Sequence, residues 1–357
     1  MIQASSIRDR LWDEAEDVRA MAAEDAGYDD LVEAIVPLCE RLTMESSRSM
    51  RQTIMAALHR MTHDEVIAQA LSLLSNEDVF VRNSAVALLQ SRGQTALSGL
   101  EKHFDSTDVD VRKLVLDALS AIGGDEAGRL LARGIGDPDL NVQIAAVEYL
   151  GERSDIRQAP AIATLFESAQ DPMLLSAAAT ALSLLGGIGS WQAVERRFPA
   201  FNQVPAYLVG PWLSLFACCG DRSLEDLLEI ATQIPPALAG DCADALVALQ
   251  ERLGVDTVRG AALEQLRALI RAATEGTTQF RLLKWSGALR RHPAVLTLLI
   301  PYLNSSDVLS RHGAVLGLLR TGRPEVLPLL VAQLAREADQ DIRNSIESGL
   351  ASYERRP

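Results

Sequence analysis

The residues with the clearest potential for chemistry are two histidines, His59 and His63, followed directly by Asp64 and Glu65. Histidines four positions apart lie on one face of a helix and can bind one metal ion, with a nearby carboxylate as a further ligand. This stretch falls where a predicted helix ends and a turn begins, and solvated polar residues are expected there. We therefore predict no metal site and no bound cofactor.

Other signals of catalysis are missing from the sequence. It contains no G-x-S-x-G nucleophile turn, no G-x-x-x-x-G-K-[ST] phosphate loop and no G-x-G-x-x-G dinucleotide turn. Cys218 and Cys219 are adjacent and have no histidine near them in the sequence, so we interpret them as small hydrophobic residues. We predict no catalytic residue and look for function in binding.

Charge and cysteine content narrow the classes of partner. The 48 acidic residues exceed the 34 basic ones, and the formal net charge of −14 repels a polyanion, so we expect no nucleic-acid partner. The four cysteines lack the spacing of a disulfide framework or a zinc site, which favours reduced thiols and a cytoplasmic location. No apolar run is long enough for a membrane span and the N-terminus lacks a signal-peptide pattern, so we expect no membrane partner.

Any binding surface must be positioned by a repeated element, because the chain restates the segment from Asp78 to Gly93 nearly from end to end. We count Arg82 of this segment as position zero. Equivalent positions recur at intervals of 30 to 34 residues apart from one step of 39. They are Arg51, Arg82, Arg112, Gln143, Leu175, Val209, Cys242, Arg281, Arg311 and Arg343.

Three features surround position zero in most copies. Asp, Ser or Thr four residues before it is the type whose side-chain oxygen caps a helix N-terminus. Apolar residues one before, three after and seven after it fall on one face of a helix, which predicts that this face is buried. Glycine eleven after it permits the left-handed turn that ends a helix.

An apolar stretch with helical periodicity also precedes each cap, so every unit is predicted to contain two helices. Two helices and a short turn in a unit of thirty-odd residues predict an all-α fold, an α-solenoid (α/α superhelix) of about ten two-helix repeats. Residues 1–30 stand outside the period and are predicted to form an N-terminal helical cap. Residues 31–357 are predicted to form the array, with the weakest repeats at about 188–256.

The D-x-x-V-R opening of the second helix, followed by small residues, a leucine and a glycine, resembles the HEAT repeat. It is most similar to the bacterial HEAT-like type, also called the phycobilisome-lyase repeat. The resemblance implies stacked helical pairs in a curved superhelix, with recurrent Asp and Arg forming a ladder between repeats. A partnered Arg112 in such a ladder is expected to contribute about 1–3 kcal/mol to stability. The expected ladder residues are Asp78, Arg82, Asp108, Arg112, Asp139, Asp307, Arg311, Asp339 and Arg343.

The resemblance also implies that the second helices line the concave side of the array, where a partner would bind. Apolar residues recur along this expected groove with charges between them, which suits an amphipathic helix or an extended peptide. Its middle is acidic and its C-terminal third is basic, so we expect a protein or peptide partner with a basic segment. The expected groove residues are Lys113, Leu114, Asp117, Ile144, Glu148, Glu152, Leu184, Asp244, Val247, Glu251, Leu282, Leu283, Arg290, His312, Leu316 and Arg320.

Two consecutive repeats break the pattern, since Pro205 and Leu238 replace the cap and Val209 and Cys242 replace the arginine. Aromatic residues concentrate in the same region. They either fill a packed joint where the superhelix changes pitch or form a pocket for a partner side chain. The aromatic residues assigned to this candidate pocket are Trp191, Phe201, Tyr207, Trp212 and Phe216.

The leading functional hypothesis is therefore a non-catalytic scaffold or adaptor that holds a partner peptide, helix or protein in the groove. The repeat type leaves open a bilin lyase or isomerase subunit, in which the aromatic cluster would hold a tetrapyrrole. A nucleic-acid-binding or DNA-repair protein is a third alternative, which the acidic charge disfavours. The di-iron hydroxylases of this fold carry repeated His-Glu dipeptides, and this chain contains none.

Overall fold

The computed structural model of the protein describes residues 6–354, and within them helices are the only regular secondary structure. The terminal residues 1–5 and 355–357, which we had assigned to the cap and the array, lie outside the described part. The chain divides into two compact units, residues 1–184 and 185–357. None of the helices in residues 6–354 is long and apolar enough to cross a membrane.

The helices are numbered here in chain order. The first twelve are α1 (Ile7–Leu11), α2 (Glu16–Tyr28), α3 (Ile35–Met44), α4 (Arg48–Arg60), α5 (Glu65–Leu73), α6 (Val79–Arg92), α7 (Leu97–His103), α8 (Val109–Ile122), α9 (Gly124–Arg133), α10 (Leu140–Glu152), α11 (Ala159–Ser168) and α12 (Pro172–Leu185). The remaining ten are α13 (Ile188–Arg197), α14 (Val209–Cys219), α15 (Leu224–Ala231), α16 (Ala239–Leu253), α17 (Ala262–Ala272), α18 (Gly276–Ser286), α19 (Val295–Leu299), α20 (Val308–Thr321), α21 (Leu327–Arg336) and α22 (Gln340–Glu354).

Within each unit the helices stack in two layers. In the first unit α4 packs on α6, α6 on α8 and α8 on α10, while α3 packs on α5, α5 on α7 and α7 on α9. In the second unit α14 packs on α16, α16 on α18, α18 on α20 and α20 on α22. No single pair can bury its own apolar face, so each pair depends on its neighbours. This arrangement confirms the predicted all-α solenoid.

The predicted helix caps are present in every repeat that has Asp or Ser at this position, whereas Thr277 is not a cap. The Asp78 carboxylate accepts a hydrogen bond of 2.8 Å from the N–H of Phe80, and the Asp108 carboxylate accepts one of 2.9 Å from the N–H of Asp110. Each bond satisfies one backbone donor that the first turn of a helix leaves unpaired. The other side chains that cap their own second helices in this way are those of Ser47, Asp139, Asp171, Asp307 and Asp339.

The buried face of the second helices is wider than the pattern predicted. In α8 the exposed fraction is 3% for Val111 and 0% for Val115 and Leu119, as expected, but Leu116 is also fully buried. Position +4 therefore joins −1, +3 and +7 on the buried face of this helix. Burying one such side chain contributes about 1.5–3 kcal/mol, so this extra column matters to stability.

The residue at position zero closes the turn that precedes its own helix. Its side chain donates to the backbone carbonyl six residues earlier: Arg112 Nη1 to Ser106 at 2.8 Å, and Gln143 Nε2 to Asp137 at 2.6 Å. Arg311 Nη1 does the same to Ser305 at 3.0 Å. A glutamine amide can donate this bond as an arginine can, which explains why Gln143 replaces arginine in a regular repeat.

The expected ladder is wrong in its acidic partner. Arg112 pairs through Nε and Nη2 with Asp137 at 2.8 and 2.9 Å, and Arg311 pairs through Nε and Nη2 with Glu337 at 3.1 and 2.9 Å. These acids stand six residues before the next position zero. The aspartates four before it, Asp108, Asp139, Asp307 and Asp339, are committed to the N–H groups of their own helices. Arg82 and Arg343 donate to backbone carbonyls. Among contacts within residues 6–354, only Asp78 of the expected ladder aspartates accepts from an arginine, Arg51, at 2.6 Å.

The paired acids are deeply buried, with exposed fractions of 6% for both Asp137 and Glu337. Burial opposes ionisation of Glu337, but hydrogen bonds from Arg311, Gln333 and the backbone N–H of Asp339 outweigh it and lower its pKa to about 2. Burial likewise opposes ionisation of Asp137, but hydrogen bonding from Arg112 contributes to a net lowering of its pKa. Each acid is therefore ionised and locked between two repeats.

The described part of the predicted N-terminal cap is itself built as a repeat. In the turn before α2, Arg19 Nη1 donates to the carbonyl of Asp13, six residues earlier, at 2.9 Å. Its Nε donates to the buried carboxylate of Glu45 at 3.2 Å. The arginine and its acid thus occupy the same places as Arg112 and Asp137, although the sequence before Arg19 lacks the usual motif.

The register predicted at α18 is displaced by two residues. The helix begins at Gly276, so Thr277 lies inside it and does not cap it. Gln279 takes position zero instead of Arg281, and its Nε2 donates to the carbonyl of Ile270 at 2.9 Å, nine residues earlier. Arg343 likewise donates to Leu334, nine residues earlier. The arginine column misled the alignment because a glutamine performs the same task here.

Candidate aromatic pocket

The two irregular repeats of the second unit enclose a pocket of about 320 Å³. Its walls come from α13, α14 and α15 and from the short 3-10 turn Phe201–Gln203. The repeat pattern is broken in two helices of these repeats, α14 and α16. Helix α14 follows a 3-10 turn and has no side-chain cap, and α16 begins in the same way after Pro236–Leu238.

Aromatic rings pack edge to face along the pocket wall. The ring centroids of Trp191 and Trp212 are 5.4 Å apart, and those of Trp191 and Phe216 are 5.5 Å apart at an interplanar angle of 88°. Phe201 contacts Trp212 at 5.1 Å. Such pairs contribute about 0.5–1.5 kcal/mol each beyond the area they bury. The rings of Trp212 and Phe216 thus stand at +3 and +7 of α14, where α8 carries Val115 and Leu119.

Ionisable side chains surround the rings. Glu195, Asp226 and Glu229 line the pocket together with one cation, Arg222. Arg222 forms an ion pair with Glu195, and its guanidinium lies 5.9 Å from the centroid of the Trp191 ring. The pocket thus combines electron-rich ring faces with a net negative lining, an arrangement that attracts cations.

Two buried indole N–H groups in the described residues have no hydrogen-bond acceptor, those of Trp212 and Trp285. Trp212 is a wall of the pocket, whereas Trp285 lies in α18 and is 2% exposed. A buried donor without an acceptor costs about 1–3 kcal/mol. Since both tryptophans share this feature, the unpaired N–H does not distinguish the pocket from the core.

Of the predicted aromatic set, Trp191, Phe201, Trp212 and Phe216 line the cavity and Tyr207 does not. Tyr207 is 49% exposed in the 3-10 turn before α14 and is not part of the wall. Sequence reasoning missed the carboxylates, because Glu195, Asp226 and Glu229 belong to no repeated column. The rings are packed against one another and still leave a cavity beside them.

The expected groove residues separate by exposure. Leu282 and Leu283 are fully buried, so their assignment to a binding surface is wrong. With Gln279 at position zero they fall at +3 and +4, the buried columns. Arg290 is also misplaced, because α18 ends at Ser286 and Arg290 lies in the following loop, where its Nε contacts Asp256 at 3.1 Å.

The other expected groove residues are at least partly accessible. Glu148, Glu152, Leu184, Asp244, Glu251 and Arg320 are exposed, and Lys113, Leu114, Asp117, Ile144, Val247, His312 and Leu316 are half-buried. Neighbouring second helices touch along these columns: the Tyr149 hydroxyl donates to Asp117 at 2.6 Å, and Phe280 packs on His312 at 5.5 Å. Asp117 and His312 thus lie where neighbouring second helices of one unit touch.

Acidic charge concentrates on this face in the first unit. Burial raises the pKa of Tyr149, and its hydrogen bond to Asp117 and the nearby charges of Glu152 and Glu148 raise it further. In the second unit the basic character is weaker than predicted. Arg290 is exposed but pairs with Asp256, His312 is half-buried against the Ser345 hydroxyl, and Arg320 is exposed.

The remaining candidates for chemistry are structurally occupied. His63 Nε2 lies 3.0 Å from the carbonyl of Asp30, which ties it to the turn after α2. Burial raises the pKa of the Cys39 and Cys242 thiols to about 12, so neither is a nucleophile at neutral pH. Within residues 6–354 no three His, Cys, Asp or Glu side chains come together as a metal site would require.

Comparisons with known proteins find a matching family and similar folds. A family model described as HEAT repeats matches residues 34–120, 97–183 and 263–351. The structure is similar to importin beta, with a TM-score of 0.60, 11% identity, and coverage of 97% of this chain and 56% of that one. It is also similar to Kap121p, with a TM-score of 0.50, 13% identity, and coverage of 97% and 44%. The chain thus spans about half the length of these two proteins. Comparison with curated protein sequences finds no significant match.

Proposed function

Because the chain belongs to the HEAT-repeat family, we propose that it is a non-catalytic scaffold or adaptor that binds a segment of another protein. The accessible face of the second helices holds the partner segment, and the aromatic pocket is a separate anchor site for a partner side chain. Stacked repeats suit this task, since they expose long surfaces whose side chains vary while the buried columns stay fixed. The acidic face of the first unit favours a partner with a basic segment.

The observation that carries this proposal is the pocket itself. It lies in the repeats that lack both a side-chain cap and an arginine at position zero, where the array gives up stabilising contacts. A structural joint needs packed rings, but it does not need a cavity of about 320 Å³ between them. Pockets of this size lined by aromatic and a few polar groups are typical of binding sites.

Affinity purification with matched variants tests the proposal. Phe201→Ala removes a half-buried ring at the pocket, and Phe80→Ala removes a half-buried ring of α6, over which Arg51 lies at 5.0 Å. We expect a protein that the wild type and Phe80→Ala retain and that Phe201→Ala loses. Titration calorimetry with the purified pair should then show at least a tenfold weaker affinity for Phe201→Ala, about 1.4 kcal/mol or more.

Thermal melts followed by circular dichroism provide the control, since all three proteins must remain folded at the assay temperature. A partner that binds the two variants equally, or the recovery of no specific partner, would contradict the proposal.

The free thiols fit a reducing location. Cys39, Cys218, Cys219 and Cys242 are all unpaired, so we include a cytoplasmic location in the proposal.

A further inference from the structure

The charged groups of the aromatic pocket indicate what kind of side chain it accepts. Three carboxylates, Glu195, Asp226 and Glu229, face one guanidinium, that of Arg222, which leaves two uncompensated negative charges. This balance disfavours an anionic ligand, and a neutral apolar ligand would gain nothing from the negative charge. Charge complementarity therefore selects a cation.

The three carboxylates are not equally available. Asp226 accepts hydrogen bonds of 2.9 Å from both the N–H and the hydroxyl of Ser223, in the capping box that starts α15. Glu195 accepts from Arg222. Glu229 is exposed, and its carboxylate accepts no hydrogen bond from any residue between 6 and 354. Glu229 is thus the carboxylate free to meet a new partner.

The chain already shows how a guanidinium fits this environment. Arg222 lies 5.9 Å from the centre of the Trp191 ring while its terminal nitrogen contacts Glu195. Tryptophan offers the strongest ring face for a cation, and arginine uses it more often than lysine because its planar group also stacks. A ring and a carboxylate together therefore hold an arginine at one edge of the pocket.

We infer that the pocket binds an arginine side chain of the partner segment, with its guanidinium against the aromatic wall and Glu229 as its counter-ion. This inference rests on the proposed scaffold function and specifies the chemistry of the anchor. The volume of about 320 Å³ holds one long side chain and excludes a folded element. The apolar stem of arginine covers ring surface while the head group remains close to the carboxylate at the rim.

The test uses N-acetyl-arginine amide as the probe and N-acetyl-citrulline amide, its neutral isostere, as the control. The indole N–H signals of the ¹⁵N-labelled full chain report binding. We expect saturable shifts at Trp191 and Trp212 with the arginine probe, none at Trp285, and at least tenfold weaker binding of citrulline. Equal shifts with both probes, or shifts that do not saturate, would overturn the inference.

Variants then assign the contacts. Glu229→Gln should weaken the arginine probe by about twofold to fivefold, the range for an exposed charge pair. Trp212→Phe should weaken it by about fivefold, read at the Trp191 signal, because phenylalanine is the poorer cation acceptor. Trp285→Phe makes the same chemical change in another buried tryptophan and should leave affinity unchanged. If all three variants bind alike, the probe lies elsewhere and the inference fails.

The two proposals fail in different ways. If the arginine probe does not bind while a protein partner still depends on Phe201, the scaffold function stands and the arginine anchor is wrong. If the probe binds as predicted but no protein partner depends on the pocket, the scaffold function is wrong. A partner whose affinity survives replacement of every arginine in its bound segment by citrulline would also contradict the anchor.

Discussion

The repeats around α8 and α10 and the repeats around α14 and α16 solve the same packing problem with opposite chemistry. In the first region a guanidinium enters the stack, and Arg112 is clamped between the carbonyl of Ser106 and the buried carboxylate of Asp137. In the second region position zero is Val209, and Trp212 and Phe216, at +3 and +7, pack rings where α8 has the aliphatic side chains of Val115 and Leu119. The difference teaches that helical pairs can be joined either by a hydrogen-bonded ion pair or by packed rings.

The polar junction and the aromatic junction present different surfaces to a ligand. A closed arginine–carboxylate pair has no remaining charge to offer and serves stability alone. The aromatic junction leaves a cavity with carboxylates at its edge, so it can serve a ligand as well. Natural sequences depart from their own rules mainly at functional or strained sites, which is why this irregularity supports the binding site. The following predictions test the contrast, beginning with the largest effect.

The largest expected effect belongs to the polar junction. Arg112→Ala leaves the carboxylate of Asp137 buried without its cation, and breaking one side of such a pair costs about 3–5 kcal/mol. Urea unfolding should show this loss as a lower midpoint. Lys113→Ala, at the next residue and on the accessible face, is the matched control and should change stability by about 0.5 kcal/mol or less. Similar midpoints for the two variants would remove the basis of the contrast.

Acid should weaken the second polar junction in a defined window. The folded pKa of Glu337 is about 2, against an ordinary value of 4.5, so its ionised form stabilises the fold above pH 4.5. That contribution, about 3 kcal/mol at most, is lost as the pH falls from 4.5 towards 2. The wild type should therefore exceed Glu337→Gln in stability at pH 7, and the gap should close near pH 2. A gap that is independent of pH would show that Glu337 is not ionised in the folded protein.

The smallest effect is expected at the pocket. Arg222 also pairs with a carboxylate, but both side chains are 41% exposed, and exposed pairs contribute about 0–1 kcal/mol. Arg222→Ala should leave the thermal midpoint almost unchanged while adding one net negative charge to the pocket lining. The arginine probe should then bind at least as tightly as it binds the wild type. A loss of stability comparable to that of Arg112→Ala would mean that Arg222 is structural.

The sequence predicted the helical pairs, the caps and most of the buried columns because each follows from local periodicity and residue type. It could not predict the acidic partners of the arginines. Asp137 and Glu337 pair with an arginine of the preceding repeat, and the residue at position −6 varies in type from repeat to repeat. The slip at α18 has a related cause, because Gln279 performs the task of an arginine. The sequence did not indicate the pocket carboxylates either, because they do not recur at a fixed position of the repeat.

The central claim is that the irregular repeats bind the partner while the regular ones hold the stack, and site-specific photo-crosslinking tests it most directly. A benzophenone amino acid is placed at Phe201 in one protein and at Phe80, equally half-buried in a regular repeat, in another. The account predicts that Phe201 forms an adduct with an arginine-containing segment of a partner protein and that Phe80 does not. The same adduct at both positions, or one at Phe80 alone, would contradict it.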